Sequence, residues 1–368
     1  MTLKKLSAKD RDAGIYDALV RVLKDKAAKA VFTMPFDSAE IESLFGTSIW
    51  GHREIVLTII MARLMNPQFK ASKDFYACNP RSIFEHPIRK ALREFGIPHR
   101  KSGPLNVAKN SKKINKDWAT DKHGGDVAMN VVRIINKIET VSRNQFETFA
   151  TAYITRYKQE AKRVKEMEVK LSAQENPVYI AKLCTDLLNS VPDGGATPQI
   201  IVGLLMETMT KDRKASVEIT GHRDSVSTTN TTSKKPGDII EKINGDSKLI
   251  YEVTTKVFSD DRLIESHESV MDYDKTMKDV LVICRPQDVP ESLTEKRTSY
   301  VMATTQYKEL AYYFINIYDY IESTLIFLTP AGRKSFYQEL IEYINATNTS
   351  EKVKKYFKQW HSENKKQS

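Results

Sequence analysis

The stretch from Pro236 to Phe258 limits the possible folds more than any other part of the chain, because it reads as a β-hairpin from its turn outward. Two runs rich in β-branched and aromatic residues flank Asn244-Gly245-Asp246. An Asn-Gly pair supplies the positive φ angles that a tight hairpin turn demands. The first run opens with Asp238 directly after Pro236-Gly237, and the second is expected to extend from Leu249 to Phe258. Side chains alternate faces along a strand, so Ile250, Glu252, Thr254 and Lys256 should share one side and Tyr251, Val253 and Val257 the other. An apolar face thus backs one carrying an acid and a lysine, with Asp238 on the neighbouring strand. Carboxylates able to hold Mg²⁺, beside a lysine near an attacking water, are the makeup of a metal-dependent phosphodiesterase site.

Upstream of the hairpin the apolar periodicity is helical. It predicts helices over Ala8–Lys29, Ser38–Phe45 with Ser38 as cap, Trp50–Met65, and from Pro80 to Phe95. Further helices are expected from Val127 to about Leu171, over Val178–Leu188, and from a Thr197-Pro198 cap onward. After Lys211 the pattern changes to a short strand at Val217–Ile219, a Ser/Thr/Asn-rich loop over Gly221–Lys235, the hairpin, a helix over Asp260–Lys275 and a strand over Asp279–Cys284. Beyond these the sequence predicts a strand at Tyr300–Met302, a helix over Tyr307–Ile321, a last strand at Leu325–Leu328, and helices over Ala331–Ile344 and Lys352–Trp360. The tail Lys365–Ser368 should be disordered. The expected fold class is α/β of the α+β kind, with an all-helical domain over 1–192 and a mixed domain over 193–368.

Charge narrows the partners. The chain carries 57 Lys and Arg against 47 Asp and Glu, a net charge of +10, which suits a polyanion such as DNA. Between Arg89 and Lys116 there are nine basic residues and a single acid, Glu94. Glycines and prolines interrupt this segment, and it offers Arg100, Lys101, Lys109, Lys112 and Lys113 to phosphates and Asn106 and Asn110 to base edges. A solvated surface loop is the plainer reading of the same residues. Three cysteines, Cys78, Cys184 and Cys284, fit neither a disulfide framework nor a zinc site, and no apolar run is long enough for a membrane span. A reducing cytoplasm is therefore the expected compartment. The seven histidines show no metal-ligand spacing, and no Gly-rich phosphate loop or serine nucleophile elbow occurs.

The order helix, strand with Asp238, strand with an acid and a lysine, helix, strand resembles the PD-(D/E)XK nuclease core. In that core an acid and a lysine stand two residues apart on the second strand, whereas Glu252 and Lys256 are four apart. On a regular strand this spacing separates their Cα atoms by about 13 Å rather than ~7 Å. Either the strand is distorted at Thr254-Thr255, or Thr254 takes the acid's place and the missing carboxylate comes from the next helix, where Glu265 and Glu268 are the candidates. Glu207, on the helix before the core, is a weaker one. Pro236-Gly237-Asp238 with Glu252-Val253-Thr254-Thr255-Lys256 is similar to the SacI-type restriction endonucleases, whose second strand has a Glu-Val-x-x-Lys pattern. Asn79-Pro80-Arg81-Ser82-Ile83 and Ser102-Gly103-Pro104-Leu105-Asn106 resemble short segments of the same family. The patches are short, and Val107-Ala108-Lys109 stands where that family has a second Asn and an aromatic residue after its Pro-Leu-Asn.

The resemblance implies a type II restriction endonuclease cutting double-stranded DNA with Mg²⁺, working as a homodimer beside a cognate DNA methyltransferase. Asp238, Glu252 and Lys256 would be catalytic, with Asp238, Glu252, Glu265 and Glu268 as metal ligands. Arg81 joins the basic segment as a DNA contact, and the helical domain would serve recognition and dimerisation. The alternatives are another nuclease on the same core, of repair or resolvase type, and a non-catalytic DNA-binding protein.

Overall fold

A computed structural model describes residues 7–121, 125–224, 235–293 and 300–364. Most of the Ser/Thr/Asn-rich run and the tail Lys365–Ser368 lie outside the described residues. The chain divides into two compact units, Met1–Glu166 and Met167–Ser368. The helix Pro177–Ser190 belongs to the second unit, whereas the sequence reading placed the change at 192/193.

All regular structure described in the first unit is helical, around the nearly wholly buried helix Gly51–Met65. Helices Ala8–Lys24, Gly125–Thr140 and Arg143–Glu166 pack on it. Asp37, not Ser38, caps the helix Ser38–Gly46, accepting from the Ala39 N–H. The core also holds a fully buried ion pair between Arg53 and Glu160, 3.2 Å apart, with Arg53 over the Trp50 ring at 4.6 Å. Arg156 and Arg163 bond to the same Glu160 carboxylate, so the buried acid is saturated by cations.

The second unit is a six-stranded mixed sheet with helices on both faces. Its strands are β1 (Val217–Thr220), β2 (Ile239–Ile243), β3 (Asp246–Thr254), β4 (Asp279–Cys284), β5 (Val301–Tyr307) and β6 (Leu310–Asn316). Their order is β1-β2-β3-β4-β6-β5. The first three are antiparallel, β3, β4 and β6 run parallel, and β5 returns antiparallel to β6. The β2–β3 turn has Asn244 and Gly245 at φ 55° and 88°, as its sequence demands. One sheet face, with Ile239, Tyr251, Val253 and Ile283, packs against the helical layer that includes Pro177–Ser190, Ala196–Asp212 and Ile317–Phe327. The other, with Ile250, Val280, Val282, Tyr312 and Phe314, packs against the helix Asp260–Tyr273 through Val270.

Two expected elements are corrected. Residues 310–316 are a strand instead of part of a helix, because Leu310, Tyr312 and Phe314 are buried on one face. Leu325–Leu328 is not a strand: Leu325 is core, Ile326 and Phe327 are exposed, and the segment ends the helix Ile317–Phe327. The helix Ala196–Asp212 begins after Gly195, and the Thr197 hydroxyl donates to Val191 O at 2.8 Å in place of capping it. Among the described residues, no helix is long and apolar enough to cross a membrane.

Candidate active site

The register of β2 on β3 pairs Ile240 with Ile250 and Ile239 with Tyr251, and continuing it sets Asp238 opposite Glu252. The two acids named from the sequence are thus brought together, at the C-terminal end of β3. Backbone chemistry fixes Asp238: its N–H donates to Tyr251 O at 2.9 Å, and its Oδ2 accepts from the Val253 N–H at 2.9 Å. Glycine lets the preceding turn lie this close. A Cβ on Gly237 would stand 2.7 Å from Ile250 Cγ2 and 3.6 Å from Glu252 Oε1. Gly221, at φ 97°, passes so near β2 that a Cβ there would meet Asp238 O at 2.4 Å.

Glu252 is 5% exposed and lies on the sheet face covered by the helix Asp260–Tyr273. Burial, with the neighbouring Asp238 charge second, pushes its pKa up to about 8, while Arg262 and Ser266 act in the opposite sense. Asp238 is partly exposed, and its pKa is raised by desolvation against the Val253 hydrogen bond and the charges of Arg262 and Lys235. Two facing carboxylates, both disfavoured as anions by where they sit, gain most from a divalent cation.

The donor set fits Mg²⁺, which takes hard oxygen ligands, keeps several waters, and needs only one or two carboxylates plus phosphate oxygens. Among the described residues no group of three or more His, Cys, Asp or Glu side chains stands together as a metal site.

Lys256 is not on the strand. β3 ends at Thr254, whose hydroxyl accepts from the Lys256 N–H and donates to Lys256 O, both at 3.0 Å, and so turns the chain. Arg285 pins this bend by donating to Thr255 O at 2.6 Å while paired to Asp288 at 2.7 Å. Lys256 is left exposed in the bend, and the shared face expected for it with Glu252 ends at Thr254. Thr254 does not stand in for an acid either. It also accepts from Arg262 Nη1 at 2.7 Å, so its one donor and two acceptor sites are all used.

Glu265 and Glu268 are both exposed on the helix Asp260–Tyr273, and Glu265 adds to the charges that raise Glu252. Glu207 is engaged elsewhere: Lys211, Arg223 and His222 contact its carboxylate at 2.8, 2.9 and 3.0 Å. The hydrogen bonds of Lys211 and Arg223 outweigh its burial and hold its pKa down at about 2.

Within the first unit, Arg81, Arg100, Lys101, Asn106, Lys109, Asn110, Lys112 and Lys113 are all exposed. The segment carrying most of them is held by its backbone, leaving side chains outward. Glu54 accepts from the Arg100 N–H at 2.6 Å, and Phe75 N–H donates to Lys112 O at 2.6 Å. Tyr76 OH accepts from the Asn110 N–H at 2.9 Å. The Arg100 guanidinium rests on the Trp50 ring at 4.6 Å, an ordered cation on an aromatic platform. Arg81 is paired with Glu85 at 3.2 Å, and Asn106 Nδ2 donates to Gly103 O at 3.0 Å.

Sequence reasoning missed Arg262, Trp50 and Glu54. The first two reach their partners through tertiary contacts that no local pattern announces. Glu54 carried a signal, an acid at a core position of an apolar helix. No protein-family model and no curated protein matches this chain.

Proposed function

We propose that this chain is a Mg²⁺-dependent endonuclease of double-stranded DNA, of the type II restriction kind, on a PD-(D/E)XK-like core. The observation that carries the reading is the Asp238–Glu252 pair, two carboxylates facing each other at the end of adjacent strands where burial makes each a poor lone anion. The order helix Ala196–Asp212, β1–β3, helix Asp260–Tyr273, β4 supports it, as does the anchored basic segment of the helical unit. A homodimer on a two-fold site, a partner methyltransferase and a cytoplasmic setting belong to the same proposal.

Bound Mg²⁺ would supply Lewis-acid charge against the scissile phosphate. Asp238 and Glu252 would hold it, with Asp238 fixed in orientation by the Val253 N–H. Water oxygen bonds to phosphorus as the P–O3′ bond breaks; the water proton passes to solvent, and the departing O3′ takes one up. The products are a 5′-phosphate and a 3′-hydroxyl. Arg100, Lys101 and their neighbours would bind the duplex through phosphates.

The test is digestion of defined duplexes with Mg²⁺ or EDTA. A fixed fragment ladder only with Mg²⁺ supports the reading. Structure-dependent cutting would instead indicate a repair or resolving nuclease. Binding without nicking, indifferent to EDTA, would indicate a non-catalytic DNA-binding protein.

A further inference from the structure

We propose that Arg262, from the helix after β3, is the cation that works beside the Asp238–Glu252 pair and meets the scissile phosphodiester. The inference rests on the nuclease reading of that pair.

Arg262 is placed for this by the fold. Arg262 lies in the first turn of the helix Asp260–Tyr273, where Ser259 caps the end by accepting from its N–H. Its side chain reaches back to β3, and Nη1 donates to Thr254 Oγ1 at 2.7 Å. Thr254 stands two residues beyond Glu252, so alternation puts both on one face of the strand. The guanidinium therefore stands where a strand cation beside the acid would have to project. Lys256 is on the exposed bend, beyond the end of β3.

The guanidinium lies over the Phe258 ring at 4.8 Å, which orients it without consuming its donors. Arginine has five N–H donors, and one goes to Thr254, so a bidentate face stays available for two phosphate oxygens. Arg262 remains partly exposed, as a group that meets a ligand must. When water oxygen bonds to phosphorus and the P–O3′ bond breaks, negative charge grows on the non-bridging oxygens, and Arg262 would meet it there.

The experiment compares wild type, Arg262→Ala, Arg262→Lys and Lys256→Ala in cleavage of duplex DNA with Mg²⁺, each shown folded by thermal melting, alongside titration of each with Mn²⁺ by electron paramagnetic resonance. Arg262→Ala should lose about 10²–10³-fold in kcat with KM little changed, the loss typical of removing one donor to a developing oxyanion. Free guanidinium at millimolar concentration should restore part of the alanine variant's rate, and Arg262→Lys should fall between alanine and wild type. Lys256→Ala should cost at least tenfold less than Arg262→Ala. Without DNA, Arg262→Ala should bind Mn²⁺ roughly several-fold more tightly, because a like charge next to the carboxylates is gone, and Lys256→Ala should bind it as wild type does. Wild-type kcat and Mn²⁺ affinity in folded Arg262→Ala would overturn the inference. A wild-type chain that never cuts DNA would overturn the nuclease reading, and with it Arg262's part at the phosphate; the Mn²⁺ titration then still decides whether Arg262 is the cation of the carboxylate pair.

Discussion

Replacing Glu252 by Gln should make the second unit more stable as the solution becomes more alkaline, relative to wild type. Glu252 has its pKa raised to about 8 by burial and by Asp238, whereas in the unfolded chain it returns to the ordinary carboxylate range near ~4.3. Between those values the folded protein holds a proton that the unfolded chain has released, so stability falls as pH rises. The contribution is fully present below the unfolded pKa and lost through the folded one. Each pH unit inside the window changes the folding constant roughly tenfold, and the whole window amounts to a few kcal/mol. Asp238, also raised, adds in the same sense. Gln cannot ionise and keeps the shape, so the Glu252 share of the slope vanishes. The assay is urea denaturation of both proteins at pH 5, 6, 7 and 8 without divalent ions. Glu54 in the first unit, raised to about 7 mainly by burial, tilts both curves alike, so the difference between them reports Glu252 and its effect on Asp238. That difference should grow steadily toward alkaline pH. Adding Mg²⁺ at pH 8 should stabilise wild type and leave Glu252→Gln nearly unmoved, since a ligand stabilises by RT ln(1 + [L]/Kd). Parallel pH curves, or equal responses to Mg²⁺, would show that Glu252 neither titrates in this window nor holds the metal.

Other residues carry expectations of their own. Asp238→Ala should abolish cleavage, by at least about 10³-fold, yet retain duplex binding in a gel-shift assay. Arg100→Ala should weaken binding and lower the slope of log K against log salt by about one, if the guanidinium held on Trp50 meets a phosphate. Arg53→Ala should destabilise the helical unit by about 2–5 kcal/mol in denaturant melts, because it empties the buried space among the Phe45, Trp50 and Tyr157 rings, while Arg156 and Arg163 still pair Glu160.

The parts of the fold legible in the sequence are those with strong local rules. Asn244-Gly245 announced the hairpin, and the run Val280–Ile283 between polar ends gave β4 its observed limits, Asp279–Cys284. The region 307–328 was misread because two periodicities compete there. Tyr307, Leu310 and Ala311 look helical until the burial of Leu310, Tyr312 and Phe314 shows the two-residue alternation, and the turn depends on Lys308 at φ 50°. At the site, Asp238 and Glu252 could be named because alternation and a Pro-Gly turn are local. For Lys256 the four-residue spacing from Glu252 already allows a break at Thr254-Thr255 as one of two alternatives, and the threonine hydroxyl that closes a turn there is what ends the strand. Arg262 was invisible for a different reason. Its role depends on how the helix Asp260–Tyr273 lies across β3, which is tertiary packing.

Incubating the purified protein with phage DNA and Mg²⁺, and then sequencing the ends, tests the nuclease reading of the Asp238–Glu252 pair without presupposing a recognition site. Ends should form at one recurring two-fold-symmetric sequence, with 5′-phosphates, absent in EDTA and absent for Asp238→Ala. Intact DNA, or ends that form equally in EDTA, would contradict that reading.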